Sequence, residues 1–316
     1  MKRFNFILSS FFLMITLYVF FTSCSKDDEE NRNILGTGGA ATTVDGKRLV
    51  KMVNSNEKES TSYEYNSSGQ ISMVSYDEGK YLDSYSYDNN HNIITFSSSR
   101  YSSSKGEYTL SNGRIIKAVI EWSNSTSEYS CKEEYEYNED GYLDSIHSII
   151  STKEKSTKIT TSIKTDQTTY FTWIDGNLVN EKTSGKYKSE KWKLVGYNVY
   201  NGEYLPIHQG DTFEKEIEIR TEYTYTEHPN VLPEFSSGTN SILGWQGYYG
   251  KSSKNLPTKV VTRETDTYFN GYENTSSFKK NTITYDYTFN GNLVTKLTGT
   301  INDKKDNTYT INYTWE

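Results

Sequence analysis

Cysteine is nearly absent from this chain: Cys24 and Cys131 are its only two, which excludes a framework of several disulfides. Histidine is scarce as well. His91, His147, His208 and His228 are scattered, with no metal-ligand spacing among them. Proline occurs four times, always between residues 206 and 257. Leu, Ile, Val and Phe together supply only 52 of the 293 residues from Cys24 onward. That fraction alone would place the chain near disorder. Positive charge is in deficit, with 34 Lys and Arg against 41 Asp and Glu. Residues 1–23 carry Lys2, Arg3 and no acid, so without them the net charge moves from −7 to −9. Nucleic-acid binding rests on cationic neutralisation of phosphates, so an acidic chain argues against it. Helix-period patterns are nearly missing, which excludes helical bundles and doubly wound α/β folds.

Tyrosine replaces the missing aliphatics. The 28 Tyr and five Trp bring rings that each bury ~150–250 Å². A core built from tyrosine is therefore expected, in one domain spanning 44–316.

The N-terminus reads as an address. Lys2 and Arg3 precede an apolar run from Phe6 to Phe21, the pattern of a secretory signal over residues 1–23. The ending Phe21-Thr22-Ser23-Cys24 resembles a bacterial lipobox, with Phe21 where Leu is preferred. That resemblance implies lipidation of Cys24. The following Ser25-Lys26-Asp27-Asp28-Glu29-Glu30 resembles the Lys-plus-acidic export signal of Bacteroidetes surface lipoproteins; read for itself it is a solvated linker. Residues 24–43, charged and then Gly-rich, read as a tether. With Cys24 lipidated, Cys131 has no partner in the chain and is expected to be a packed, inert thiol.

From Val44 onward, strand and turn alternate with period two. Asp45-Gly46, Asn112-Gly113, Asp175-Gly176, Asn201-Gly202 and Asn270-Gly271 are type I′ hairpin signals. The stretch YEYNSSGQISMV from Tyr63 uses another turn, with Asn66 at its first position and a left-handed Gly69 at its fourth. Asn138 and Gly141 repeat it, and Asp88-Asn89-Asn90-His91 puts His in the glycine's place. The turn predicts that Tyr65 faces Ile71 and Tyr63 faces Met73, with Glu64, Asn66, Gln70 and Ser72 on a wet face. Tyr87 with Ile93, Tyr137 with Leu143 and Tyr287 with Leu293 follow by the same logic. The fold expected is all-β: an antiparallel meander of about 16–18 strands that closes into a barrel or wrapped sheet. Tyr at mid-strand positions and charge on the opposite face argue against a wall facing lipid.

The Tyr-x-Tyr-Asn/Asp-x-x-Gly-x-Ile/Leu unit resembles, weakly, the tyrosine–aspartate repeat of RHS-type proteins. Together with residues 254–259 (KNLPTK), Tyr285-Asp286-Tyr287 and Gly291-Asn292-Leu293, these hairpins resemble Bacteroidetes outer-membrane lipoproteins of a domain-of-unknown-function family with a porin-like β fold. The resemblance implies a β-barrel and brings no activity with it.

One Pro-, Gly- and aromatic-rich loop insertion breaks the rhythm, over residues 235–252. Trp245, Tyr248 and Tyr249 are its candidate binding residues. Exposed, they form an aromatic platform for a sugar or peptide; tucked in, they fill the open end of a barrel, the reading favoured. Gly247 to Ser252 is no phosphate loop, because Trp245 stands where its first glycine belongs and no helix follows. No Gly-x-Ser-x-Gly elbow or His-Glu-x-x-His motif is present, and residues 303–307 lack the ligands of a calcium loop. Asp144-Ser145-Ile146 resembles the short Bacteroidetes O-glycosylation site, which makes Ser145 a candidate for modification. The function expected is a non-enzymatic, cell-surface lipoprotein, without cofactor or metal, that binds a glycan or a host or partner protein. Two alternatives stand beside it: a periplasm-facing accessory of an outer-membrane complex, and a hydrolase using surface carboxylates.

Overall fold

The structure, a computed structural model, describes residues 43–316 apart from 58, 90–92, 102, 156–158, 201–202, 234–240, 270–273 and 303–306. Cys24, the signal segment, the tether before residue 43, His91 and the Asn201-Gly202 and Asn270-Gly271 turns lie outside the described residues.

Sixteen antiparallel strands follow one another in a meander. They are β1 (Leu49–Asn54), β2 (Glu59–Tyr65), β3 (Ile71–Tyr76), β4 (Tyr81–Tyr87), β5 (Ile93–Ser98), β6 (Ser103–Ser111), β7 (Arg114–Ser123) and β8 (Ser127–Tyr137). The second half is β9 (Leu143–Lys155), β10 (Ile159–Ile174), β11 (Asn177–Tyr200), β12 (Glu203–Pro229), β13 (Asn255–Phe269), β14 (Asn274–Asn290), β15 (Leu293–Ile301) and β16 (Thr308–Trp315). β16 pairs with β1, and the sheet closes into a barrel. Strands of 15 to 27 residues, β10 to β14, make one side of the wall much taller than the other.

At one end of the barrel seven hairpins join an even-numbered strand to the next odd-numbered one. Each even-numbered strand runs down to that end and carries two inward residues two positions apart, nearly always aromatic: Tyr63 and Tyr65 on β2, Tyr223 and Tyr225 on β12, Tyr313 and Trp315 on β16. Each odd-numbered strand leaves that end with an aliphatic residue that is completely buried. Leu49, Ile71, Ile93, Ile115, Leu143, Leu178, Leu256 and Val294 all have zero exposure. Burying each such side chain contributes ~1.5–3 kcal/mol.

A bulge sits at the same place in each of these hairpins, as it does where β16 meets β1. A bulge bends a strand and disrupts its ladder locally. An aromatic of the next even strand supplies a donor there. The Tyr87 hydroxyl donates to Ile71 O at 2.5 Å, Tyr137 to Ile115 O at 2.6 Å and Tyr225 to Leu178 O at 2.6 Å. The indoles of Trp173 and Trp315 do the same to Leu143 O and Val294 O, at 2.7 and 2.8 Å. β6 carries Leu110 at this position, which has no donor.

The turns agree with the sequence reading. Gly69 and Gly141 have φ of +78° and +88°, and Asn66 Oδ1 accepts from the Ser68 and Gln70 amides at 3.0 Å. Both central residues of Asp45-Gly46, Asn112-Gly113 and Asp175-Gly176 are left-handed. Tyr65 faces Ile71, Tyr87 faces Ile93 and Tyr137 faces Leu143 as expected. The bulge corrects the rest of the first unit: Tyr63 faces Val74 rather than Met73. Val74 has no exposure, and Gln70, expected on the wet face, is 1% exposed. Tyr287 faces Leu297 rather than Leu293, because the tight turn at Gly291-Asn292 pairs Asn290 with Leu293.

The outward positions are charged. On β8, Lys132, Glu134 and Glu136 are exposed and alternate with buried Cys131, Glu133 and Tyr135. On β12, Glu214, Glu216, Arg220 and Glu222 are exposed, while Lys215, Thr221 and Tyr223 are buried. Among the described residues no helix is long and apolar enough to cross a membrane, which leaves the strands unjudged.

Candidate functional site

The closed end holds the loop singled out in the sequence. Between β12 and β13 the chain turns into the barrel and forms the five-residue helix α1 (Ser241–Trp245). The structure places Trp245, Tyr248 and Tyr249 inside, at 6, 0 and 0% exposure, where they fill the barrel end rather than form a solvent-facing platform. Trp245 meets Tyr63 edge-on at 5.9 Å, Tyr248 stacks on Tyr87 at 6.3 Å and Tyr249 on Tyr135 at 5.1 Å. The loop also completes the ladders. Ile71 N donates to Gln246 Oε1, Ile115 N to Tyr248 O and Lys251 N to Gly141 O, each at 2.9 Å. Leu178 N donates to Ser253 Oγ at 2.8 Å. The approach is close: a Cβ on Gly250, at φ +79°, would lie 2.6 Å from Gly141 O.

Ser145 is 6% exposed, and its hydroxyl donates to Glu136 Oε2 at 2.9 Å. Cys131 is buried, and burial together with the nearby Glu133 carboxylate pushes its thiol far up from the ordinary range.

Above the aromatic layers the interior turns polar. Lys215 Nζ lies 2.8 Å from Asp266 Oδ1, both nearly inaccessible at 4 and 2%. The same ammonium stands 5.4 Å from the Tyr187 ring centre and 5.8 Å from that of Tyr268. Lys279 reaches Glu264 at 3.3 Å. Burial pushes the Glu181 carboxyl up to about 8, although Tyr223 donates its hydroxyl to Glu181 Oε1 at 2.9 Å. Glu133 accepts from Tyr135 and Ser148. Each of these carboxylates is already engaged by a neighbour, and no cluster of three metal-ligating side chains occurs among the described residues.

A hollow of about 920 Å³ lies across β6 to β11. Its two edge strands contribute Ser103 and Lys105, and Lys188 and Glu190, but not the inward Ser104 and Ser189 between them. On the middle strands the inward-parity Trp122, Tyr129, Thr152 and Ile163 also border it, but the other twelve of its sixteen lining residues have outward parity, so the hollow opens on the outside, where the wall is concave to solvent. Its rows are cross-strand neighbours: Lys105 faces Glu121, Ser130 faces Ser151 and Lys164 faces Lys188. Sequence reading passed over these residues as a solvated face. The available signal was their shared parity on long strands.

Fold and interior together define a class: a closed sixteen-stranded antiparallel meander barrel, with a tyrosine core and an internal plug at one end. No protein-family profile matches the chain, and no curated protein matches it. Among solved structures it is similar to a porin-like protein from Bacteroides vulgatus, at 11% identity and a TM-score of 0.49, over 85% of this chain and 98% of that one. It is also similar to a porin-like protein from Bacteroides uniformis, at 14% identity and a TM-score of 0.42, over 88% of this chain and all of that one.

Proposed function

We propose that this chain is a non-enzymatic binding protein of the bacterial outer membrane, held there by lipid on Cys24 and facing the exterior, with a glycan or a host or partner protein as its ligand. The observation that carries the reading is the outer wall. Charged residues at the bilayer midplane of a barrel cost ~2–4 kcal/mol each for Lys and Arg. A wall bearing Lys132, Glu134, Glu216, Arg220 and Glu222 at outward positions is suited to water. A body of that kind needs a separate hold on the membrane, and two or three acyl chains suffice. The plugged end argues against a conducting pore and leaves the wall and the mouth for recognition.

Protease shaving tests the placement. The reading expects intact cells to lose the barrel to added protease, and Cys24→Ala to release it from the membrane fraction. A chain cleaved only after permeabilisation contradicts surface exposure.

A further inference from the structure

We propose that the hollow on the outer wall is a carbohydrate-binding groove for a neutral polysaccharide, with Trp192 as its stacking platform. The inference deepens the proposed function and rests on it for its setting at the cell surface.

Trp192 is the next outward residue after Glu190 on β11, and its exposure is 47%. Outward residues two apart on a strand stand about 7 Å from one another, so Trp192 follows directly on the β11 edge of the groove, with its ring over β12. Its cross-strand neighbour is Gly210. A Cβ there would come within 2.7 to 2.9 Å of three ring atoms. The glycine lets the indole lie against the backbone of β12, which leaves the opposite ring face to solvent. A large exposed aromatic that is fixed on one side is a preformed surface for the apolar face of a sugar ring.

The groove beside it supplies what the hydroxyls of that sugar need. Serine hydroxyls donate and accept, lysines donate and glutamates accept. Lys188 is held between Glu190 at 3.1 Å and Glu214 at 3.6 Å, and all three side chains are about half exposed. Lys105 pairs with Glu107. Four lysines and three glutamates line the hollow, so its charge nearly cancels. Near-balance disfavours a polyanion, whose affinity comes from unpaired cations. Its volume of about 920 Å³ is in the range of ligand sites, ~300–1,000 Å³, and holds several sugar units.

The test is affinity electrophoresis of the full chain in gels containing a mannan, a dextran or a mixed-linkage β-glucan, with heparin as the anionic arm. Retardation by at least one neutral polysaccharide, undiminished at high salt, is expected. Trp192→Ala should weaken it by about 10-fold or more, while Trp192→Phe keeps part of it. Because the ring is half exposed, the melting temperature should stay close to that of the parent, which separates loss of binding from loss of fold. No retardation by any neutral polysaccharide overturns the proposal, as does equal binding by Trp192→Ala. Binding to heparin alone, lost at high salt, also overturns it. A chain that binds but resists shaving of intact cells keeps the groove and removes the surface placement; a shaved chain that binds none of the polymers removes the groove alone.

Discussion

The hydroxyl of Tyr137 donates to the main-chain carbonyl of Ile115 at 2.6 Å, and the same residue's hairpin partner is Leu143. One side chain thus packs its ring within its own hairpin and satisfies the backbone of the neighbouring one. Tyr137→Phe keeps the ring and removes the donor. It should cost about 1–3 kcal/mol, the range for a buried acceptor left unpaired. Chemical denaturation of the variant beside its parent measures this; an unchanged midpoint would mean that the carbonyl finds another partner.

Glu181 gives the stability a pH slope. Its folded-state value of about 8 lies above the ordinary 4.5, so between those pH values the folded chain holds a proton that the unfolded chain has released. Stability from this group is therefore full below about pH 4.5 and declines as pH rises towards 8. Asp83, also pushed up mainly by burial, adds slope of the same sign. Glu181→Gln should flatten the fall in melting temperature between pH 5 and 8, read by calorimetry across that range. A variant with the parent's slope would mean that Glu181 is ionised in the fold.

The buried pair Lys215 and Asp266 should be intolerant of half-removal. Lys215→Met alone, or Asp266→Asn alone, should cost roughly 3–5 kcal/mol, because each leaves a charge without its counter-ion. The double variant should recover most of that loss. A thermodynamic cycle on the four proteins decides it, and simple additivity would show that the pair is uncoupled.

The plug residues should matter for stability rather than recognition. Trp245→Ala and Tyr249→Ala should each lower stability by roughly 3–5 kcal/mol. Gly250→Ala should also destabilise, since its Cβ meets the main-chain Gly141 O at 2.6 Å and its φ of +79° disfavours a side chain. None should change polysaccharide retardation in protein that remains folded at the assay temperature.

Cys131 should ignore thiol reagents in the native protein and react in full once denatured, because its thiol is buried and held neutral. Native reactivity would place it in an opening region of β8.

Much of the scaffold is legible in residues. Asn66 and Gly69 announce their turn, and Tyr65 facing Ile71 follows from it. The bulge between Glu64 and Tyr65 is not legible, because it answers the curvature of a closing wall and not a local residue preference. Gln70 is also inside against expectation, because the plug offers it a partner: its amide donates to the Tyr248 hydroxyl at 2.8 Å. Phe171-Thr172-Trp173 and Tyr313-Thr314-Trp315 are the same aromatic-x-aromatic unit in altered lettering, and a pattern read as Tyr-x-Tyr passes over them. Lys215 sits in a run of Glu and Lys that looks solvated, yet it shares the parity of Tyr223 and so faces inward. The groove is hidden for a different reason. Its residues are ordinary surface types, and only the concavity of the wall gathers them.

The ladder between β1 and β16 sets Leu49 beside Trp315. Every other ladder joins strands that are consecutive in the chain. Assembly is therefore a series of short-range zippering steps with one join of very long sequence separation, the slow kind. Until the last strand arrives, β1 and β15 are two open edges able to accept a strand from elsewhere. The completed ring removes both edges at once, so the final eight-residue strand separates an aggregation-prone ribbon from a sealed body.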